Sequence, residues 1–347
     1  MLELHSADGA FERIEAHLRE RGFFAPGGED LVADLYLGYG LSEPLRRTEA
    51  PAPPEPCPLP LAAVLERARG RELVFRKHDL PTIGSWERTW AESDYAEAVE
   101  AVREAIGRGD VYQVNLVQHL SAELDGAPEA LAALLGSFRP RMLSGDGWAI
   151  VSASPELFLS RRGRVVRTDP IKGTRPLGEH VEGEKDAAEH VTIVDLERND
   201  LSRVCEPGSV RWPELMAERE LAGVTHLVST VQGTLREDVG LAELLAATFP
   251  GGSVTGAPKI AALDLIAALE PVGRGASMGA LGTVSGNGDL DLALTIRTFA
   301  VAEKRLHLWV GGGIVWDSEP EAEIAESWTK AQPLLAAIGA PVEAVRR

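Results

Sequence analysis

Residues 168–176 read TDPIKGTRP and set one primary amine, Lys172, between an isoleucine and a glycine in a tight turn. Alone, such an amine is a solvated surface charge; held unprotonated among other groups, it is a nucleophile. Glu323 and Glu326 stand three apart in EPEAEIAESWTKA, so a helix turns both carboxylates the same way. Acids in a first helical turn complement the helix dipole. Facing a third carboxylate such as Glu189, they would instead suit Mg²⁺, which takes oxygen ligands and leaves water or substrate oxygens to complete its shell. Arg297, in LTIRTF, alternates with Ile296 along a strand, and a buried guanidinium needs an anion, best a bidentate carboxylate. Lys330 is either a second such cation or an exposed helical lysine. His226, in VTHLVS, lies in an apolar strand as a hydrogen-bonded core histidine or as a base.

Two glycine-rich stretches could hold an anion. FPGGSVTGAPKIAALDLI, 249–266, is a loop entering a helix, with Pro258 near the first helical position and Ser253 and Thr255 as candidate caps. Backbone N–H groups at a helix start, unshielded by Cβ atoms, form an anion cradle. The GxxxxGK[ST] spacing fails, which excludes a P-loop, and a capped helix after a loop accounts for the stretch equally well. In GGGIVWDS, glycines at the end of the strand LHLWVG let backbone amides approach a ligand, or mark a bulge. Within VYQVNLVQHL, 111–120, Gln113 and Asn115 share a strand face with Val111 and Val117, placing amides on an otherwise apolar surface.

The elements that position these groups follow from pattern. Tyr95, Val99, Val102 and Ile106 fall at helical spacing behind Ser93 as cap, with Gly107 and Gly109 as stops. AIVSAS reads as a strand, and ELFLSRRGRVVRTDPI as a hairpin turning at Arg162-Gly163 that delivers the chain to Lys172. HVTIVDLERNDLSRV predicts a helix beginning near Glu184, and GTVSGNGDLDLALTIRTFAV a hairpin at Asn287-Gly288. The last segment is an acid-led helix. Hairpins outnumber strand-helix-strand units, so the expected class is α+β, a two-lobed domain of antiparallel sheets with helices outside. The proline run PAPPEPCPLP, 51–60, marks a boundary between an N-terminal segment, 1–90, and the main body, 91–340.

Composition excludes several classes. Across 347 residues, 35 Lys and Arg oppose 53 Asp and Glu, a net charge of −18 that repels nucleic acid. A small anionic substrate then requires a local cationic pocket. No apolar run approaches a membrane span, and the charged N-terminus does not read as a signal peptide, so the expectation is a cytoplasmic protein. Cys57 and Cys205 are far apart and lack metal or nucleophile-elbow spacing.

GDVYQVNLVQ, SASPELFL, DPIKGTRP, EHVTIVDLERNDLSRVC, THLVSTVQGTL, FPGGSVTGAPKIAALDLI, LTIRTF and GGGIVWDSEPEAEIAESWTKA, in this order, resemble the motif series of the chorismate-utilising enzymes over residues 90–337. That resemblance implies antiparallel sheets packed face to face. It also implies chorismate as substrate, Mg²⁺ as cofactor and a glutamine amidotransferase partner supplying ammonia. Members resembling aminodeoxychorismate synthase component I carry lysine in the PIKGT turn, where anthranilate synthases typically carry alanine. The resemblance implies that Lys172 adds to C2 of chorismate as the C4 hydroxyl departs, and that ammonia displaces it at C4. Glu156 corresponds to the acid-base carboxylate, His226 to a histidine near the hydroxyl, and Thr174 counts among the catalytic groups. Glu189, Glu326 and Glu323 correspond to metal ligands. Arg297, Lys330, Gly312 and Gly313 correspond to the groups holding the enolpyruvyl carboxylate, with Gly256 and Ala257 on the ring-carboxylate side. Gln113 replaces the water-activating lysine of isochorismate and salicylate synthases, which favours ammonia as nucleophile.

Departures from the series are Ser277, where the family usually has tyrosine, FRPRMLSGDGW, and a shortened segment 1–90 without a tryptophan-pocket motif. Sister activities forming anthranilate or 2-amino-2-deoxyisochorismate, and a non-catalytic chorismate-binding subunit, are the competing readings.

Overall fold

The computed structural model describes residues 1–68, 80–176, 184–221, 224–340 and 342–345, side chains excepted at 68, 174–176, 184–189, 221, 224, 343 and 344. The strands are β1 (Leu2–Leu4), β2 (Leu31–Leu37), β3 (Ala62–Ala68), β4 (Thr82–Arg88), β5 (Gln113–Asp125), β6 (Arg141–Gly145), β7 (Trp148–Ser152), β8 (Leu157–Arg162) and β9 (Val165–Asp169), followed by β10 (Ile171–Pro176), β11 (Arg211–Leu221), β12 (Val224–Thr234), β13 (Gly256–Ala257), β14 (Ala280–Ser285), β15 (Leu290–Leu294), β16 (Thr298–Ala302) and β17 (Arg305–Ile314). The helices are α1 (Ala10–Glu20), α2 (Glu92–Arg108), α3 (Pro128–Leu134), α4 (Glu184–Ser202), α5 (Leu241–Thr248), α6 (Lys259–Leu269), α7 (Pro320–Ala337) and α8 (Val342–Val345).

Two antiparallel sheets result. One has ten strands in the order β1-β3-β2-β14-β15-β8-β9-β12-β10, with β11 also on β12; the other has seven, β13-β5-β17-β16-β7-β6, with β4 on β5. Side-chain alternation along β7 and β16 shows how they pack. Ile150 and Ala300 join an apolar cluster with Leu35, Leu281 and Leu292 of the ten-stranded sheet. Their neighbours Ala149, Val151, Phe299 and Val301 face the opposite way, into a cluster with Val99 of α2, Leu131 of α3 and Trp328 of α7. The sheets therefore face each other with helices outside, the α+β arrangement expected from the hairpin-rich sequence. Each buried Leu, Ile or Phe adds about 1.5–3 kcal/mol of transfer free energy.

Residues 51–60 contain no helix or strand, and Glu55 accepts the Gly275 N–H at 2.9 Å. β1, β2 and β3 belong to the same sheet as Lys172, with Leu35 of β2 paired to Gly282 of β14. α2 begins two residues earlier than its serine suggested. Ala91 is the N-cap residue and its N–H donates to the Asp94 carboxylate at 3.2 Å, so Ser93 lies inside the first turn. Gly109, at φ 82°, ends the helix in the left-handed conformation glycine tolerates. No helix among the described residues is long and apolar enough to cross a membrane.

Candidate active site

Lys172 lies on β10, opposite Leu227 of β12, at a bulge that ends where Thr174 meets His226. Gly173, between them, takes φ 61° and makes the bulge sterically affordable. Its carbonyl faces His226 Nδ1 at 3.0 Å. A carbonyl only accepts, so Nδ1 carries the proton and Nε2 presents the lone pair. Burial lowers the His226 pKa, the Gly173 hydrogen bond opposes the change, and the nearby Arg297 charge reinforces it, leaving a neutral imidazole. The side chain of Thr174 lies outside the described residues.

Glu156 sits in the loop between β7 and β8, 5% exposed. Its Oε1 accepts from the Ser253 hydroxyl at 2.8 Å and from the Ile171 N–H at 3.4 Å. Burial raises its pKa, while the Ser253 hydrogen bond, Lys172, Ile171 and Arg297 pull it back. The net change is upward. Ser253 therefore serves Glu156 rather than capping a helix: α6 has Pro258 at its N-cap position, without a side-chain cap. Thr255 is not a cap either, being fully buried with its hydroxyl 3.4 Å from that of Tyr39.

Arg297 does not alternate along a strand. It lies between β15 and β16 at φ 50°, a left-handed conformation uncommon for a non-glycine residue. Its carbonyl accepts the Ala153 N–H at 3.0 Å, which ties this kink to the loop carrying Glu156. Its charge acts on both Glu156 and His226. Lys172, Glu156, His226 and Arg297 thus form one electrostatic group.

A second group lies across the glycine-rich loop. β13 pairs with β5 so that Gly256 meets Val114 and Ala257 meets Gln113, which is 1% exposed. Gly256 takes φ 135°, and a Cβ there would stand 2.2 Å from the Gln113 carbonyl oxygen, so only glycine fits. On the other edge of β5, Gly311, Gly312 and Gly313 pair with Val117, Leu116 and Asn115. These glycines are part of β17 rather than a segment after it. A Cβ at Gly312 would lie 3.1 Å from Lys330 Nζ and 3.6 Å from Glu323 Oε2, so amide, ammonium and carboxylate meet there.

The two α7 glutamates differ, contrary to the expectation that both carboxylates face one way. Three residues of helix leave side chains about 60° apart around the axis, enough to bury one and expose the other. Glu323 is 5% exposed and accepts from Ser318 Oγ at 2.6 Å. Glu326 is exposed and pairs with Lys330 at 2.7 Å. The side chain of Glu189, on α4, lies outside the described residues, and among the described residues no three metal-ligating side chains converge. Glu323 and Glu326 carry the hard oxygen donors that Mg²⁺ takes.

One feature escaped sequence reasoning. Glu270 and Arg274 form an ion pair at 2.7 Å with side chains 2% and 1% exposed. Arg274 also donates to the carbonyls of Val254 and Asn115 and lies over the Tyr39 ring at 4.5 Å, while Glu270 accepts the Val117 N–H. This network fastens the glycine-rich loop to β5. The i, i+4 spacing in ALEPVGR offered a weak signal, but nothing local marked it as buried.

The family model for chorismate binding enzymes matches residues 60–336. The chain belongs to the chorismate binding enzyme family. Within it, the chain is 39% identical over 326 residues to anthranilate synthase component 1 of Streptomyces coelicolor, covering 89% of this chain and 60% of that one. It is 38% identical over 265 residues to aminodeoxychorismate synthase component 1 of Bacillus subtilis, covering 72% and 56%. The chain thus spans about three-fifths of the length of these curated relatives. Among solved structures, anthranilate synthase component I from Streptococcus pneumoniae superposes with TM-score 0.74 at 28% identity, over 87% of this chain and 80% of that one.

Proposed function

We propose that this chain is an aminodeoxychorismate synthase component I, converting chorismate and ammonia to 4-amino-4-deoxychorismate. The observation that carries this reading is Lys172, a primary amine on a bulged strand whose field acts directly on the buried Glu156. In the proposed reaction, Lys172 Nζ bonds to ring C2, the ring double bonds shift, and the C4 hydroxyl leaves as water with the proton held by Glu156. Ammonia then bonds to C4, the double bonds shift back, and the C2–Nζ bond breaks to return the amine. The net change is chorismate plus ammonia to product plus water. His226, neutral with its lone pair on Nε2, accepts a hydrogen bond at the reacting hydroxyl. Arg297, Lys330 and the amides of Gly312 and Gly313 hold the enolpyruvyl carboxylate, and Gly256, Ala257 and Gln113 border the ring.

Magnesium, when bound, supplies positive charge that neutralises the ring carboxylate; Glu323, Glu326 and Glu189 are the residues that would hold it. Lys330, paired with Glu326 at 2.7 Å, would turn to the substrate carboxylate when chorismate binds. Ammonia comes from a glutamine amidotransferase subunit, since the relatives named component 1 imply a second component. The product serves p-aminobenzoate and folate synthesis or an antibiotic pathway, in the cytoplasm.

A second reading, anthranilate synthase component I, is favoured by the longer alignment with the Streptomyces relative, 326 residues against 265. Mass spectrometry and NMR of the product from chorismate, ammonium and Mg²⁺ separate the two. An amino group at C4 supports the proposal, and one at C2 overturns it.

A further inference from the structure

Behind the glycine-rich loop lies a second buried acid that the reaction above does not use. Glu197, on α4, is 7% exposed. It lines a small cavity with Thr168, Asp200, Thr248, Gly251 and Gly252. Its Oε2 accepts the Thr168 hydroxyl at 2.8 Å. A Cβ at Gly252 would come within 3.6 Å of Glu197 Cγ, so this side chain backs directly against the loop. The next residue, Ser253, is the donor that holds Glu156. On the other side, Thr168 is three residues from Ile171, whose N–H also holds Glu156. Glu197 therefore braces both segments that fix the acid-base carboxylate.

The charges around Glu197 define its state. Lys259, whose charge acts on Glu197, pairs with Asp200 at 2.6 Å and donates to the Thr248 carbonyl at 3.2 Å. Asp200 on the same helix and Glu156 across the loop are both carboxyls. Among the described residues no cation forms an ion pair with Glu197. An unpaired buried carboxylate beside two other acids is strongly disfavoured, whereas a carboxylic acid with a hydroxyl partner is satisfied.

We propose that Glu197 is a positioning residue for Glu156, an uncharged acid that fixes the Gly251–Ser253 loop and the β9–β10 corner without placing a second anion beside the acid-base group. Burial first, with the Glu156 and Asp200 charges adding to it, raises the Glu197 pKa well above the usual carboxylate range, against the pull of Thr168 and Lys259. A folded pKa above the unfolded value means that the native state binds the extra proton. Stability contributed by neutral Glu197 is thus complete below about pH 4.5 and declines as pH rises toward the folded pKa.

The inference rests on the proposed role of Glu156, so its test has two arms. In the first, thermal midpoints of the full chain and of Glu197→Gln are compared from acid to alkaline pH. The amide keeps the shape and cannot ionise, so its midpoint should gain on the wild type as pH rises from about 4.5. A variant-minus-wild-type difference that stays constant with pH, or that falls as pH rises, overturns the uncharged state whether or not chorismate is the substrate. In the second arm, Glu197→Ala should lower kcat about tenfold, the loss of roughly one hydrogen bond of positioning, with KM little changed. Glu197→Gln should recover most of that loss. Equal impairment of both variants, or full activity in Glu197→Ala, overturns the positioning role.

Discussion

Replacing Ser253 with alanine tests the acid-base assignment at its most exposed joint. The Ser253 hydroxyl donates to Glu156 Oε1 at 2.8 Å, and both residues are buried. A hydrogen bond to an ionised group contributes about 1.5–3 kcal/mol, and its loss favours the protonated carboxyl. Lys172, Ile171 and Arg297 continue to favour the ionised form, so the low end applies. About 1.4 kcal/mol is tenfold in the protonation equilibrium, or roughly one pH unit. The assay is kcat for chorismate at saturating ammonium and Mg²⁺ across pH, with circular dichroism to confirm folding. The limb governed by Glu156 should move to higher pH by about one unit, and Ser253→Thr, which keeps the donor, should restore it. An unmoved limb in a folded Ser253→Ala protein would refute the reasoning.

Gly256→Ala should abolish soluble expression or sharply lower the thermal midpoint, because the new methyl would lie 2.2 Å from the Gln113 carbonyl at φ 135°. Glu270→Gln should destabilise the chain by about 3–5 kcal/mol in denaturant titration, the cost of leaving a buried guanidinium without its anion. His119 and His307, hydrogen-bonded at 3.0 Å, have pKa values lowered by burial to about 3 and about 4. The unfolded chain binds more protons below about pH 6.5, so stability should fall with acidification at roughly 1.4 kcal/mol per histidine per pH unit. His119→Gln should flatten that slope in pH-dependent melting, and an unchanged slope would contradict it.

Much of the architecture was legible because periodicity reports it directly. The β14–β15 hairpin turns around Asn287-Gly288, and α4 covers the stretch from His190 to Ser202 whose lack of strand alternation predicted a helix. What the sequence hid was the partner of each polar side chain. Ser253 precedes a helix and looks like a cap, yet a carboxyl 97 residues away takes its hydroxyl. Arg297 looks like a strand residue because alternation cannot reveal a left-handed kink. Glu323 and Glu326 share spacing but not burial, which depends on how α7 packs on β17. The Glu270–Arg274 pair and the Glu197–Thr168 contact are long-range or fully interior, and no local pattern encodes them.

The covalent step at Lys172 is the central claim. Its most direct test is intact-protein and peptide mass spectrometry after incubation with chorismate and Mg²⁺ in the absence of ammonia. The expected result is a gain equal to chorismate less one water on the peptide containing Lys172, discharged on adding ammonium and absent in Lys172→Ala. An unmodified wild-type protein, together with undiminished amination by Lys172→Ala, would contradict it.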